Sequence, residues 1–238
     1  MAAALSSCSL WTENTAKNND SAGIYLQLGV RYMDMNKLEI AKENLQLALD
    51  KEPDNVQVHN ALAYLYEKLH DYDLAKTHYE KALNVASDDW SVQNNYGRFL
   101  CDRGDYQQGM ALLMQALSTP LNDRQWLALT NAGRCQLATQ QTQSGKAYFK
   151  QALLLNSAYP PALLEMQKIS YQSGDYWAAK AYLQRYLGVA EHTPGTLSLG
   201  MQTERALGNV ELANEYQNLL VEKFPLSDEA KRIKPDLH

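Results

Sequence analysis

Five histidines, three cysteines and a set of asparagines and arginines are the residues of this chain whose chemistry could matter. His59, His70, His78, His192 and His238 are scattered and form neither an HExxH pair nor a Cys/His ligand pattern, so no metal site is expected. No Walker loop, no GxGxxG after a strand and no GxSxG elbow occurs, and the acidic residues are spread as on solvated helix faces. The chain therefore reads as non-enzymatic, without cofactor or small-molecule substrate. A net charge of −5 lacks the basic footprint of a nucleic-acid binder. Asparagine and arginine suit peptide recognition instead, because an amide can donate to and accept from a peptide backbone and a guanidinium can clamp a carboxylate.

The elements that position these residues follow from a 34-residue period. Units at 22–55, 56–89, 90–123, 126–159, 160–193 and 194–227 stay in register with one two-residue insertion, Arg124-Gln125. Position four is bulky in Tyr25, His59, Leu129, Leu163 and Leu197, with Gln93 as a departure. Position eight is small in Gly29, Ala63, Gly97 and Gly133, and position twenty in Ala41, Ala75, Gly109, Gly145, Ala179 and Ala213. This is the tetratricopeptide template, in which two antiparallel helices approach closely at the small positions. Gly104-Asp105, Gly174-Asp175 and Gly208-Asn209 mark the turns between helices, with His70-Asp71 a weaker version. Gln167 and Met201 at position eight predict slightly wider packing in the last two units. The expected fold is all-α: an α-solenoid, a right-handed superhelix of six tetratricopeptide repeats forming one elongated domain. Residues 228–238 are expected as a capping turn and tail.

In such a fold the first helix of each unit lines a concave groove. The groove slots hold Asn60 and Tyr64, then Asn94, Asn95 and Arg98, then Thr130, Asn131 and Arg134. Leu26, Val30 and Met33 make a more apolar end able to receive a partner's hydrophobic side chain. Asn95 and Asn131 could equally satisfy groups between neighbouring helices. As a groove, this strip predicts that Arg98→Ala and Arg134→Ala weaken partner binding and leave thermal stability nearly unchanged.

Leu5-Ser6-Ser7-Cys8 has the order of a lipobox, in which small residues precede a cysteine that takes the lipid. Only Ala2 to Leu5 stand where a basic and apolar leader belongs, so the true leader is expected upstream of Met1. Residues 9–21, polar and rich in Asn, Thr and Ser, read as a flexible tether, so that 1–21 is a leader remnant plus tether. Attachment through Cys8 would anchor the chain stably, since such lipoproteins carry more than one acyl chain. Cys101 and Cys135 fall on equivalent helices of adjacent units, where either a disulfide or two small buried thiols is open. In the chain-entropy model a bridge closing such a loop contributes about 3–4 kcal/mol.

Three segments go beyond the generic repeat. Asn94-Asn95-Tyr96-Gly97-Arg98-Phe99-Leu100-Cys101 resembles the NNYG-x-FLC signature of the type IV pilus biogenesis lipoproteins, the PilF/PilW family of secretin pilotins. Asn131-Ala132-Gly133-Arg134-Cys135 is similar to the N-x-G-x-C segment that follows it there, and Phe149–Leu153, Pro160–Leu163 and Phe224–Ser227 to the family's later repeats. The resemblance implies a lipoprotein on the periplasmic face of the outer membrane that binds the pilus secretin and promotes its localisation and multimerisation. It would be monomeric apart from that partner. Two alternatives remain: a scaffold lipoprotein of another envelope machine, such as outer-membrane protein insertion, or a cytosolic peptide-binding co-chaperone.

Overall fold

The computed structural model describes residues 9–233, with side chains from residue 21 onward. Every regular element among the described residues is a helix. The chain divides into two compact units between Asn122 and Asp123. The break from the single elongated domain expected lies where Thr119-Pro120 ends a helix and Arg124-Gln125 interrupts the period.

The first unit stacks three antiparallel hairpins: α1 (Ser9–Asp34) with α2 (Leu38–Lys51), α3 (Val56–Lys68) with α4 (Tyr72–Val85), and α5 (Trp90–Asp102) with α6 (Tyr106–Ser118). The second unit pairs α7 (Gln125–Ala138) with α8 (Thr142–Leu155), α9 (Pro160–Gln172) with α10 (Tyr176–Leu187), and α11 (Pro194–Ala206) with α12 (Val210–Lys223). There α13 (Asp228–Ile233) closes the last hairpin, placing Ala230 and Ile233 against Leu197 and Leu220. Six such hairpins are the tetratricopeptide α-solenoid class. α1 corrects one expectation: residues 9–21 are helical, not an irregular tether. No proline occurs in that stretch and the first glycine is Gly23, so nothing in the backbone stops the helix, and polar composition alone does not. Cys8 and residues 234–238 lie outside the described residues.

In the third and fourth hairpins the helices meet backbone to backbone without side chains between them. A Cβ built on Gly109 of α6 would lie 2.7 Å from the Gly97 carbonyl oxygen of α5, and one on Gly145 of α8 2.9 Å from that of Gly133 in α7. Larger residues there would force the helices apart. Around this contact the first unit packs Leu45, Leu62, Leu65, Tyr79, Tyr96 and Phe99, with Tyr79 stacked on Tyr96 at 5.3 Å between ring centres. Cys101 in the first unit and Cys135 in the second are both buried and both disulfide-bonded.

Position four tolerates polar residues for a specific reason. His59 Nε2 meets the Pro53 carbonyl oxygen at 2.9 Å, and Gln93 Nε2 donates to that of Ser87 at 2.8 Å. Each serves an otherwise unmet carbonyl in the turn before its own helix.

Between the helices of all six hairpins one residue adopts a left-handed backbone: Asn36, His70, Gly104, Gln140, Gly174 and Gly208, with φ from 55 to 90°. Glycine enters this region freely, whereas glutamine does so at a cost. Gln140→Gly should therefore stabilise the protein by about 0.5–1 kcal/mol, the left-handed penalty less the added freedom of the unfolded chain. Thermal melts would show it, and an unchanged or lower midpoint would contradict the reasoning.

Candidate partner-binding surface

In the first unit the open strip is formed by α1, α3 and α5. Val30 is exposed and Leu26 is half-buried against the core, but Met33 is only 4% exposed and belongs to the core cluster. Met33 is thus no part of an apolar groove end: it points at α3, 40° around the helix from the glycine that meets α2 on ideal helical geometry of about 100° per residue.

The asparagines are joined into a chain. Asn94 Nδ2 donates to Asn95 Oδ1 at 3.1 Å, and Asn95 Nδ2 donates to Asn60 Oδ1 at 3.1 Å, linking α5 to α3. Asn60 Nδ2 makes no hydrogen bond among the described residues, so the chain ends in an open donor. One turn along α3, Tyr64 is 41% exposed, its ring flanked by Lys68 Nζ at 5.3 Å and Arg98 Cζ at 5.9 Å. Open amide donor, aromatic face and cationic flank together suit an extended peptide segment.

Arg98 is not a free clamp. Its guanidinium donates to Glu67 Oε1 at 2.6 Å and to Asp102 Oδ2 at 2.9 Å, and Glu67 Oε1 also accepts from Tyr79 Oη at 2.5 Å. The side chains of Arg98 and Glu67 are only 23% and 13% exposed. Burial acts to lower the Arg98 pKa, but the hydrogen bond and charge of Glu67 outweigh it and hold the group above its ordinary value. Burial, followed by the Glu67 charge, pushes the Tyr79 phenol well up.

The second unit repeats the arrangement in looser form. Arg134 Nε donates to Glu165 Oε1 at 3.2 Å, with Lys168 Nζ 3.5 Å from the same oxygen. Arg134 is 44% exposed and can meet a ligand; Asn131 beside it is half-buried and already bonded. Deeper, Glu204 is held by Lys180 Nζ at 3.0 Å and Asn209 Nδ2 at 2.6 Å.

Sequence reading missed Glu67 and Glu165, yet a signal existed. Both ion pairs join residues 31 apart, three short of the period. The long arginine side chain reaches about one helical turn along the neighbouring first helix, and it finds its acid by counting with that offset. The same reading treated the histidines as scattered. The structure brings His59 Nδ1 to 2.9 Å from His78 Nδ1, buried between α3 and α4. With His59 Nε2–H donating to Pro53, His59 Nδ1 is the acceptor and His78 the donor. No group of histidines, cysteines and carboxylates able to hold a metal ion exists among the described residues.

Two family models match the chain, "Tetratricopeptide repeat" over residues 22–55 and "YpiA-like, C-terminal tetratricopeptide repeats" over 57–122. The first coincides with the opening unit of the 34-residue frame. The type IV pilus assembly protein PilF of Pseudomonas aeruginosa is 29% identical over 223 residues, spanning 93% of this chain and 88% of its own. The crystal structure of PilW, a widely conserved type IV pilus biogenesis factor, is 30% identical, with a TM-score of 0.77 over 89% of this chain and 97% of its own. The chain belongs to the PilF/PilW family. A solved PilF structure from Pseudomonas aeruginosa agrees, with 27% identity and a TM-score of 0.77 over 92% of this chain and 99% of that one. This PilF/PilW relative is thus a tetratricopeptide-repeat protein of type IV pilus biogenesis, and neither matching model is of a catalytic family.

Because Glu67 sits in a nearly buried pair, Arg98→Ala should cost about 2–4 kcal/mol of stability, leaving a carboxylate without its cation. Arg134→Ala, on an exposed pair, should cost under about 1 kcal/mol. Denaturant titration of both variants separates the two; equal effects would contradict the assignment. Burial first, then the Lys81 charge and for His78 also that of His59, lowers both histidine pKa values, that of His78 to about 4. Above about pH 6.5 both are neutral folded and unfolded, and no penalty exists. As pH falls below that, the unfolded chain takes up protons that the folded one refuses, so stability drops by up to about 1.4 kcal/mol per histidine for each pH unit. Melting midpoints should fall between pH 6.5 and 5, and His78→Gln should flatten that slope.

Proposed function

We propose that this protein is a non-enzymatic, lipid-anchored pilotin on the periplasmic face of the outer membrane. It binds the pilus secretin and promotes the secretin's localisation and assembly into multimers, supporting pilus-dependent twitching motility. The observation that carries this reading is the near full-length likeness to PilF and PilW, a type IV pilus assembly protein and biogenesis factor. The first-unit strip supports it with a chemistry suited to a peptide segment, built from Asn60, Tyr64, Val30 and Leu26. Anchoring would run through Cys8, which lies outside the described residues.

A disulfide between Cys101 and Cys135 belongs to the same reading. Both are disulfide-bonded, and an oxidising compartment such as the periplasm permits the bond.

Deleting the protein should abolish secretin multimers on gels of outer-membrane fractions, and complementation should restore them; intact multimers at the outer membrane in the deletion strain contradict the reading. Mass spectrometry of the native protein should show acylated Cys8, and a full-length, unmodified cysteine removes the anchor. Tyr64→Ala should weaken binding of a periplasmic secretin fragment roughly tenfold, as loss of an aromatic contact does, with little change in melting temperature.

A further inference from the structure

The two units carry opposite charge at the same slot of the repeat. Position nine of the first helix is Arg98 in α5 and Arg134 in α7, and each pairs with a glutamate 31 residues away. Around Arg98 one cation meets two acids, Glu67 and Asp102. Around Glu165 one acid meets two cations, Arg134 and Lys168, both on its Oε1 at 3.2 and 3.5 Å. The other residues at positions five, six and nine of α7, α9 and α11 are neutral: Thr130, Asn131, Leu164, Ser198, Leu199 and Gln202. The second-unit strip therefore holds one positive charge in excess.

The two guanidiniums also differ in what they leave open. Arg98 has both terminal nitrogens engaged, Nη1 by Asp102 and Nη2 by Glu67. Arg134 gives Glu165 only its Nε, and neither of its terminal nitrogens makes a hydrogen bond among the described residues. Glu165, whose side chain is 12% exposed, thus holds the guanidinium by one edge and leaves the fork of Nη1 and Nη2 to solvent. Lys168 stands on the same carboxylate with a side chain 55% exposed, so its ammonium keeps donors to spare as well.

We propose that the strip formed by α7, α9 and α11 is a second recognition surface, which takes a peptide segment of a partner protein with an Asp or Glu seated on the Arg134 fork and Lys168. One carboxylate balances the excess charge, and its two oxygens match the paired N–H groups of a guanidinium fork. A phosphate dianion fits less well, because its second charge would be set against the nearly buried Glu165. Half-buried Leu164 and Leu199 on the same strip offer contact to the residues flanking the acid, which a free anion would leave unused. A guanidinium already held by Glu165 loses less freedom on binding than an unpaired one, so the site is preorganised. The surface belongs to the second unit alone and does not depend on the secretin reading.

Photo-crosslinking in the native cell tests it, with a benzophenone amino acid replacing exposed Gln202, the position-nine residue of α11, and at exposed Leu154 of α8 as control. The expected result is a crosslink from 202, but not from 154, to one segment of another protein that carries an Asp or Glu. Arg134→Gln and Lys168→Glu should each reduce that crosslink at least about tenfold, the loss expected of a charge-assisted contact. Lys168→Glu keeps the pair of Arg134 with Glu165 and changes an exposed side chain, so its melting temperature should stay nearly unchanged. Replacing the partner's acid with Lys should restore the crosslink in the Lys168→Glu background, which a merely structural role for Lys168 would not do. Crosslinks only to lipid or nucleic acid, crosslinks only between copies of this chain, crosslinks indifferent to both substitutions, or none at all overturn the proposal. A crosslinker at Tyr64 reports on the first-unit strip, so the two surfaces can fail separately.

Discussion

In two of the hairpins the helix backbones meet with no side chain between them. Gly97 against Gly109 in the first unit, and Gly133 against Gly145 in the second, bring the chains so close that a single Cβ would collide with the opposing carbonyl. That contact sets the rotation of both helices about their axes. Once position eight must face the second helix, positions three, seven and ten face the preceding hairpin and positions five, six and nine face the open strip. The chemistry of the strip is thus a consequence of where glycine and alanine fall.

The same packing lays neighbouring first helices side by side, and the reach of each side chain selects which residues meet. It carries Arg98 to Glu67 and Arg134 to Glu165 over an identical separation of 31 residues, while the asparagines meet at 35. A nearly buried pair such as Arg98 with Glu67 adds little net stability over apolar packing, yet it strongly penalises any arrangement that leaves one charge alone. Its effect is to hold α3 and α5 in one register. Tyr79, sharing the Glu67 oxygen, ties α4 to the same register from below.

How much of this could be read from the sequence follows the range of each interaction. The hairpins, their phase and the small positions were legible, because they depend on residues recurring at fixed spacing. The turn slot was half legible: glycine announces a left-handed backbone at 104, 174 and 208 and asparagine permits it at 36, whereas Gln140 adopts it under tertiary compulsion that its residue type does not signal. Arg98 read as a ligand clamp because its partner acid lies in the preceding repeat, 31 residues away. Met33 read as groove-facing because a slot template does not resolve a 40° rotation about the helix. The stretch before Ala22 read as a tether because polar composition suggests no packing, though helical backbone needs none. The exposure of Ile24 was hidden for a different reason: it stands where the later repeats bury an apolar residue, and its type does not tell the two apart.

These arrangements make the two surfaces select different ligands. A carboxylate approaching Arg98 must compete with Glu67 and Asp102, and displacing Glu67 would leave a nearly buried acid without its cation. What the strip leaves open is the Asn60 amide donor and the face of Tyr64, which suit a backbone carbonyl and an apolar side chain. Arg134 is the converse case: Glu165 takes only its Nε, so a carboxylate can meet the two terminal nitrogens without displacing an acid already there.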